Sequence, residues 1–258
     1  MIGNWLDLPT ALLFGSLTAF YAATAGIIVF VSFSEKTGKG VRRFEGVAAP
    51  FFGAVGVLFS LLTGFLASDI ADRNRQAARA VQSEASELRN IHTLSIASAS
   101  DMRGMRTALV QYAKAALNDE WPAMAEDRQA QSAAAAYDAL LREVSDPKIA
   151  LEAGAAVHSA LLTAAVRMGT ARSVRLALAS DRTNDIKWLL VLVLGLMTQV
   201  AIGIVHLQKR AAQAAALMIF SLAAVIALGM IALQERPFAG DVRVGPGPLA
   251  DVAKLSAE

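Results

Sequence analysis

Four long runs of residues without Lys, Arg, Asp or Glu dominate the hydrophobic pattern of this chain. Each is long enough to cross a bilayer core of about 30 Å, because an α-helix rises about 1.5 Å per residue. A charge at mid-bilayer costs about 2.5–3.5 kcal/mol on insertion scales, so runs of this length free of charge predict transmembrane helices. The four predicted spans are 8–33, 47–68, 188–205 and 211–233.

The segment between the second and third runs has a polar, helical pattern. It is rich in Ala, and its prolines are Pro122 and Pro147, so we predict three helical pieces. The first continues from the second span to about residue 118, and the others cover about 123–144 and 147–180. Two heptad series in the first piece predict a stripe that packs against another helix. The series are Val81, Leu88, Ser95, Met102 and Leu109, and Glu84, Ile91, Ser98, Met105 and Tyr112.

The predicted fold class is therefore an all-α membrane protein with four transmembrane helices and a helical soluble domain inserted between the second and third spans. The connections 34–45 and 206–210 are short, which favours antiparallel hairpins. The predicted parts are a transmembrane hairpin over 8–68, a helical extramembrane domain over 69–185 that continues span two, a second hairpin over 186–234 and a Pro/Gly-rich tail over 235–258.

Composition agrees with a membrane protein: 55% of residues are hydrophobic, and the mean hydropathy is +0.46. The first run lacks a basic N-terminal region and is longer than the roughly 7–15 apolar residues of a signal peptide, so we expect it to be retained. The segment 69–185 carries 14 Lys/Arg and 15 Asp/Glu. This balance gives no support for nucleic-acid binding.

The orientation in the membrane stays open at this level. Six basic residues lie in the two short connections, which by the positive-inside rule predicts that these connections are cytoplasmic and the helical domain is outside. They are Lys36, Lys39, Arg42, Arg43, Lys209 and Arg210. Basic residues also flank the spans on the domain side and weaken this bias.

Motifs for enzyme chemistry are missing from the sequence. His92, His158 and His206 are scattered and form no metal-binding pair, and the chain has no cysteine, phosphate-binding loop or G-x-S-x-G motif. We therefore expect no catalytic residues, no metal site and no cofactor.

Several local patterns occur in an order that resembles a known family of bacterial membrane proteins identified as bestrophin-like. They are GVLFSLLTGF at 56–65, AARAVQSEASEL at 77–88, YAKAALNDEWPAM at 112–124, Arg172-x-x-Arg175-Leu176, Trp188 at the third span and ERPFAG at 235–240. The resemblance extends over about 44–252.

This resemblance implies kinship with bestrophins, which are pentameric anion channels with a pore lined by the second span and a cytosolic helical domain. The acidic residues around Trp121 and Pro122 lack the spacing of a calcium-binding loop, so calcium gating is not expected. We predict a homo-oligomeric, pentameric ion channel of the bacterial inner membrane. Its expected partners are the lipid bilayer, further copies of the chain and small inorganic anions such as chloride.

The resemblance and helical spacing together give candidate site residues. A face of the second span would line the pore with two aromatic constrictions and a hydroxyl. Its members are Phe52, Gly56, Phe59, Thr63 and Leu66. Alternatively, these phenylalanines face lipid or a neighbouring helix, and Gly53, Gly56, Ser60 and Gly64 serve close helix packing.

Charged residues near the ends of spans two and three form a second candidate group, either at a pore mouth or as interhelical charge pairs. They are Asp69, Arg73, Arg172, Arg175 and Arg182, and the arginines have possible partners in Asp69, Asp72, Glu84 and Glu87. The alternative to a channel is a non-conducting membrane sensor or scaffold whose helical domain binds a protein partner.

Overall fold

The computed structural model describes residues 2–44, 49–98, 100–128 and 130–256, without the side chains of residues 2, 4 and 49–52. All regular secondary structure in these ranges is helical, which confirms the predicted all-α fold class. The helices are α1 (Ile2–Leu6), α2 (Thr10–Phe33), α3 (Gly38–Val41), α4 (Ala49–Ala97), α5 (Arg103–Ala115), α6 (Trp121–Ala125), α7 (Gln131–Val144), α8 (Pro147–Glu152), α9 (Ala155–Ser180), α10 (Asp185–Val205), α11 (Arg210–Ala232) and α12 (Gly247–Val252).

The chain divides into two compact units. The first, which we call the membrane unit, comprises Met1–Ala71 and Arg182–Glu235; the second, the helical unit, comprises Asp72–Asp181 and Arg236–Glu258. Helix α4 contributes residues to both units.

The membrane unit contains four helices that are long and apolar enough to cross a bilayer: α2, the N-terminal part of α4, α10 and α11. Their shared core includes Leu13, Tyr21, Ile70, Trp188 and Leu228. Many other large apolar side chains on these helices are exposed in the single chain, as expected for surfaces that meet lipid or another protein.

Two buried glutamines join the apolar helices by hydrogen bonds. Gln199 Nε2 donates to the carbonyl oxygen of Tyr21 at 3.0 Å and to Ser221 Oγ at 2.9 Å. Gln213 Nε2 donates to the carbonyl oxygen of Gly203 at 2.6 Å and to Ser32 Oγ at 3.1 Å. Such bonds contribute about 0.6–2 kcal/mol each between spans, so they hold α2, α10 and α11 in one register.

The helical unit confirms that the heptad stripe forms core but not that it lies on one unbroken helix. Val81, Leu88, Ile91, Leu109 and Tyr112 are all buried in the core of the unit. The predicted first piece is interrupted between α4 and α5. Here Ser98 Oγ accepts a hydrogen bond from the backbone nitrogen of Ser100, and Asp101 Oδ1 accepts one from that of Arg103. These side chains compete with the helical backbone, which explains the break.

The other two predicted pieces are also divided. After α6 the chain turns through Asp127, which has φ of 54°, and after α8 it turns through Gly154, which has φ of 90°. Positive φ ends a right-handed helix and is most accessible to Gly, Asn and Asp. The C-terminal segment is more than a tail, because Phe238, Leu249 and Val252 are buried in the core of the helical unit.

Candidate functional site

The part of α4 in the membrane unit has a covered face and an exposed face. Phe59 is only 8% exposed and Leu66 is fully covered. The Phe59 ring lies 5.6 Å from that of Phe220 on α11, and it closely approaches Gly195 on α10. These two predicted pore residues therefore pack inside the single chain, because α10 and α11 lie against their side of the helix.

The remaining residues predicted to line a pore lie at the edge of that covered face. Gly56 faces the methyl group of Thr198, and Thr63 is half-buried. The Thr63 hydroxyl has no hydrogen-bond partner within the described part of the chain. The side chain of Phe52 lies outside the described residues. The pore-lining role of the set remains a prediction.

The exposed face of α4 carries large apolar side chains four residues apart. Val57 is 67% exposed, Leu61 is 50% exposed and Phe65 is 60% exposed. Positions i, i+4 and i+8 form one stripe along a helix, and the exposed residues Ser60 and Gly64 lie beside it. This stripe has the same helical spacing in the sequence as the predicted pore face, which is the one that carries Phe59.

The predicted charged residues of the membrane unit are held in ion pairs. Lys187 Nζ lies 2.5 Å from Asp69 Oδ2, and Arg182 Nη1 lies 2.9 Å from Asp7 Oδ2. Both pairs are partly exposed, so each contributes at most about 1 kcal/mol. Arg73, in the helical unit, donates from Nη1 to the carbonyl oxygen of Asp181 at 3.1 Å.

Arg175 is fully buried and lies at the centre of a charge network in the helical unit. Its guanidinium donates to both carboxylate oxygens of Glu84, at 2.7 and 3.0 Å, and to Glu120 Oε2 at 2.6 Å. Arg172 completes the network through Glu120, and Tyr112 donates its hydroxyl to Glu84 Oε1 at 2.5 Å. Two carboxylates thus balance two guanidinium groups; Arg175, Glu84 and Glu120 are fully buried, and the Arg172 side chain is partly exposed.

Aromatic and sulfur groups enclose the same network. The Arg175 guanidinium carbon lies 5.7 Å from the centre of the Trp121 ring, and Nη1 lies 3.0 Å from Met124 Sδ. The carboxylate of Glu120 reaches Arg175 from a five-residue π-helical segment, Ala116–Glu120, between α5 and α6. Glu84 was among the partners that the sequence predicted, whereas Glu120 was not, since a π-helical turn has no sequence pattern that distinguishes it.

The pKa values of the network follow from burial and charge. Burial alone would lower the pKa of Arg175, but attraction to Glu84 and hydrogen bonding outweigh it, and the pKa lies above its ordinary value. Burial, with the negative charge of Glu84, raises the pKa of the Tyr112 phenol well above 10.0. The arginine therefore stays charged and the phenol neutral across the physiological range, which indicates a structural network rather than a proton-transfer site.

Among the described residues, no group of three or more His, Asp or Glu side chains is placed to hold a metal ion. The candidate site is the apolar stripe left uncovered on α4, together with the groove that adjoins it. That groove, of about 1030 Å³, is lined by small residues of α4 such as Gly53, Ser60 and Gly64, and by Phe220 and Ala227 of α11.

The family model of the bestrophin-like domain matches residues 13–249, which is nearly the whole chain. This chain belongs to the bestrophin-like family. The match extends through every long helix of both units. It confirms the family resemblance that the sequence motifs indicated. No curated protein sequence matches the chain.

Crystal structures of a bacterial bestrophin homologue from Klebsiella pneumoniae share the fold. One mutant structure is 12% identical over 93% of this chain and 96% of that chain, with a TM-score of 0.69. A second mutant is 10% identical over 92% and 95% of the two chains, with a TM-score of 0.70. A third structure, phased with zinc, is 12% identical over 92% of this chain and 95% of that chain, with a TM-score of 0.66. The bestrophin-like chain is thus a membrane protein with the bestrophin fold.

Proposed function

We propose that this chain forms a homo-oligomeric, pentameric channel for small inorganic anions such as chloride in the bacterial inner membrane. The observation that carries the proposal is the bestrophin-like family match over residues 13–249. Likeness of fold over more than nine-tenths of the Klebsiella pneumoniae homologue supports it. Bestrophins of known structure are anion channels, and the pore in this proposal lies on the axis of the oligomer.

The second span supplies the pore wall in this proposal. Its stripe of Val57, Leu61 and Phe65 is left exposed by the other helices of its own membrane unit, so these side chains are free to face an axis shared by several copies. Rings of apolar side chains gate ions by dewetting, and aromatic edges present partial positive charge to an anion. Gly56 and Thr63 lie at the margin of this face, whereas Phe59 and Leu66 serve packing.

Two phenylalanines on the same helix provide the test, since Phe65 is exposed and Phe59 is buried. We expect Phe65→Ala to change single-channel conductance in planar bilayers while the melting temperature stays close to that of the wild type. Phe59→Ala should instead lower the free energy of unfolding by about 3–5 kcal/mol, the range for a buried phenylalanine.

Leu189→Ala is the matched control, because Leu189 is an exposed apolar residue of α10 with no proposed pore role. It should leave conductance unchanged. Purified wild-type protein that shows no current above that of empty vesicles, across a range of pH and anions, would reject the channel. An oligomer imaged without a continuous axial opening would reject it independently and favour the scaffold.

A further inference from the structure

A long apolar groove runs between α2 and α11 in the membrane unit, on a surface separate from the stripe on α4. Its volume is about 670 Å³. On α2 its lining extends from Thr18 to Phe30, which corresponds to about 18 Å of helix. This length is close to one bilayer leaflet, about 15 Å deep.

The lining of the groove suits a flexible hydrocarbon chain. Small residues, including Ala22, Gly26 and Ala214, leave the space open, while the buried side chains of Tyr21 and Leu217 close its floor. Its rim is apolar as well and exposed, and it consists of Phe30, Met218 and Leu222. The groove therefore opens sideways to the surface that meets lipid.

A cation lies at one end of this groove. Arg210, the first residue of α11, lines the groove and is exposed, and within the described residues its side chain makes no hydrogen bond or ion pair. The bond between Gln213 and Ser32 shows that this end of α11 lies beside the end of α2. The N-terminus of α11 adds partial positive charge to the same place.

The short connections add further positive charge near this end of the membrane unit. Their other basic residues, Lys36, Lys39, Arg42, Arg43 and Lys209, are all exposed. In the described part of these connections Glu35 is the one carboxylate. Basic pockets between spans are typical sites for anionic lipid headgroups.

We propose that the groove binds a phospholipid with an anionic headgroup, with one acyl chain between α2 and α11 and the phosphate against Arg210. The apolar lining favours an acyl chain as the occupant, and the positive charge of Arg210 favours an anionic headgroup over a neutral one. Neither a free phosphate nor a soluble anion would fill the apolar part of the groove. This inference does not depend on ion conduction, so it can hold or fail independently of the proposed channel.

The experiment compares lipid adducts on the purified full-length protein by native mass spectrometry. The probes are phosphatidylglycerol and phosphatidylcholine with identical acyl chains. We expect phosphatidylglycerol to bind more tightly than phosphatidylcholine. Arg210→Gln should weaken the binding of phosphatidylglycerol about fivefold, which is the effect of one basic side chain at an anionic headgroup. Phosphatidylcholine binding should change little.

Two pairs of variants distinguish binding in the groove from general electrostatic attraction of lipid to the basic surface. Arg43→Gln removes an exposed cation that does not line the groove, and it should leave phosphatidylglycerol binding at the wild-type level. Ala214→Leu fills the groove at an exposed position and should reduce the binding of both lipids, whereas Ala211→Leu, outside the groove, should reduce neither. Melting temperatures verify that each variant is folded.

Three results would overturn the proposal. Equal losses of phosphatidylglycerol binding in Arg210→Gln and Arg43→Gln would indicate diffuse attraction of the lipid to the basic surface. Displacement of phosphatidylglycerol by glycerol phosphate would indicate a site for free phosphate. A change of oligomeric state in Ala214→Leu, with lipid binding retained, would indicate that a second copy of the chain covers the groove.

Discussion

At the scale of single residues, Arg175 shows most directly how charge and burial shape the helical unit. A buried ion pair adds little net stability, because desolvation of both ions offsets their attraction. Removing one partner is costly, however, since the other charges stay buried without compensation. With Glu84 and Glu120 both fully buried, Arg175 is required once the fold has enclosed these carboxylates.

Replacing Arg175 should therefore strongly destabilise the protein. We expect Arg175→Met to lower the free energy of unfolding by about 3–5 kcal/mol. Arg167→Met, at an exposed position of the same helix, should change it by less than about 0.5 kcal/mol. Chemical denaturation followed by circular dichroism measures both. Similar values for the two variants would show that the network does not support the fold.

The sequence placed Glu84 among four possible acidic partners of Arg172, Arg175 and Arg182, because opposite charges lie on facing helices, but it did not single out the Arg175–Glu84 pair. The sequence was not sufficient to predict which face of α4 the neighbouring helices cover. Phe59 and Phe65 have the same chemistry and lie on the same span, and only the positions of α10 and α11 decide which one is buried. That information depends on tertiary packing and is absent from the local pattern.

At the scale of elements, the π-helical segment 116–120 has the clearest consequence. A π-turn inserts one extra residue into a helix and so rotates everything after it by about 100° relative to an α-helix. This rotation directs Glu120 towards Arg175 and Arg172. The long helices were predictable from apolar periodicity, whereas this insertion, like the break after α4, follows from local hydrogen bonding and tertiary contacts.

Deleting one exposed residue of this segment should remove the charge network. We expect deletion of Asn118 to restore α-helical geometry, to turn Glu120 away and to leave Arg172 and Arg175 undercompensated. Its free energy of unfolding should fall by about 3 kcal/mol or more. Asn118→Ala keeps the residue count and should stay near the wild type, since Asn118 is exposed. A deletion variant as stable as Asn118→Ala would contradict this role.

At the scale of the whole molecule, the four apolar runs were the strongest signal in the sequence, and every one of them coincides with a long apolar helix. Orientation is harder to predict. The six basic residues in the short connections are matched by six on the domain side of the spans, namely Arg73, Arg75, Arg79, Arg175, Arg182 and Lys187. Charge alone does not decide, so our prediction follows the cytosolic helical domain that the resemblance to bestrophins implies.

We therefore expect the helical unit to be protected from trypsin in intact spheroplasts and to be cleaved after lysis. Its exposed arginines, such as Arg103 and Arg128, provide cleavage sites. Immunoblotting of a C-terminal tag would follow the fragments, because the C-terminal segment belongs to the same unit. Cleavage of this unit in intact spheroplasts would show that it lies outside the cytoplasm. That result would contradict the prediction and agree with the charge count of the short connections.

The C-terminal segment has a consequence for biogenesis. Phe238, Leu249 and Val252 complete the core of the helical unit, and Phe238 packs edge-on against Trp121 with ring centres 5.4 Å apart. These residues leave the ribosome only after α11 has been synthesised. The helical unit is thus translated early but finished last, and until then an apolar cleft around Trp121 stays uncovered. In the proposed oligomer, assembly of copies through a mature helical unit must accordingly wait until this segment has been synthesised.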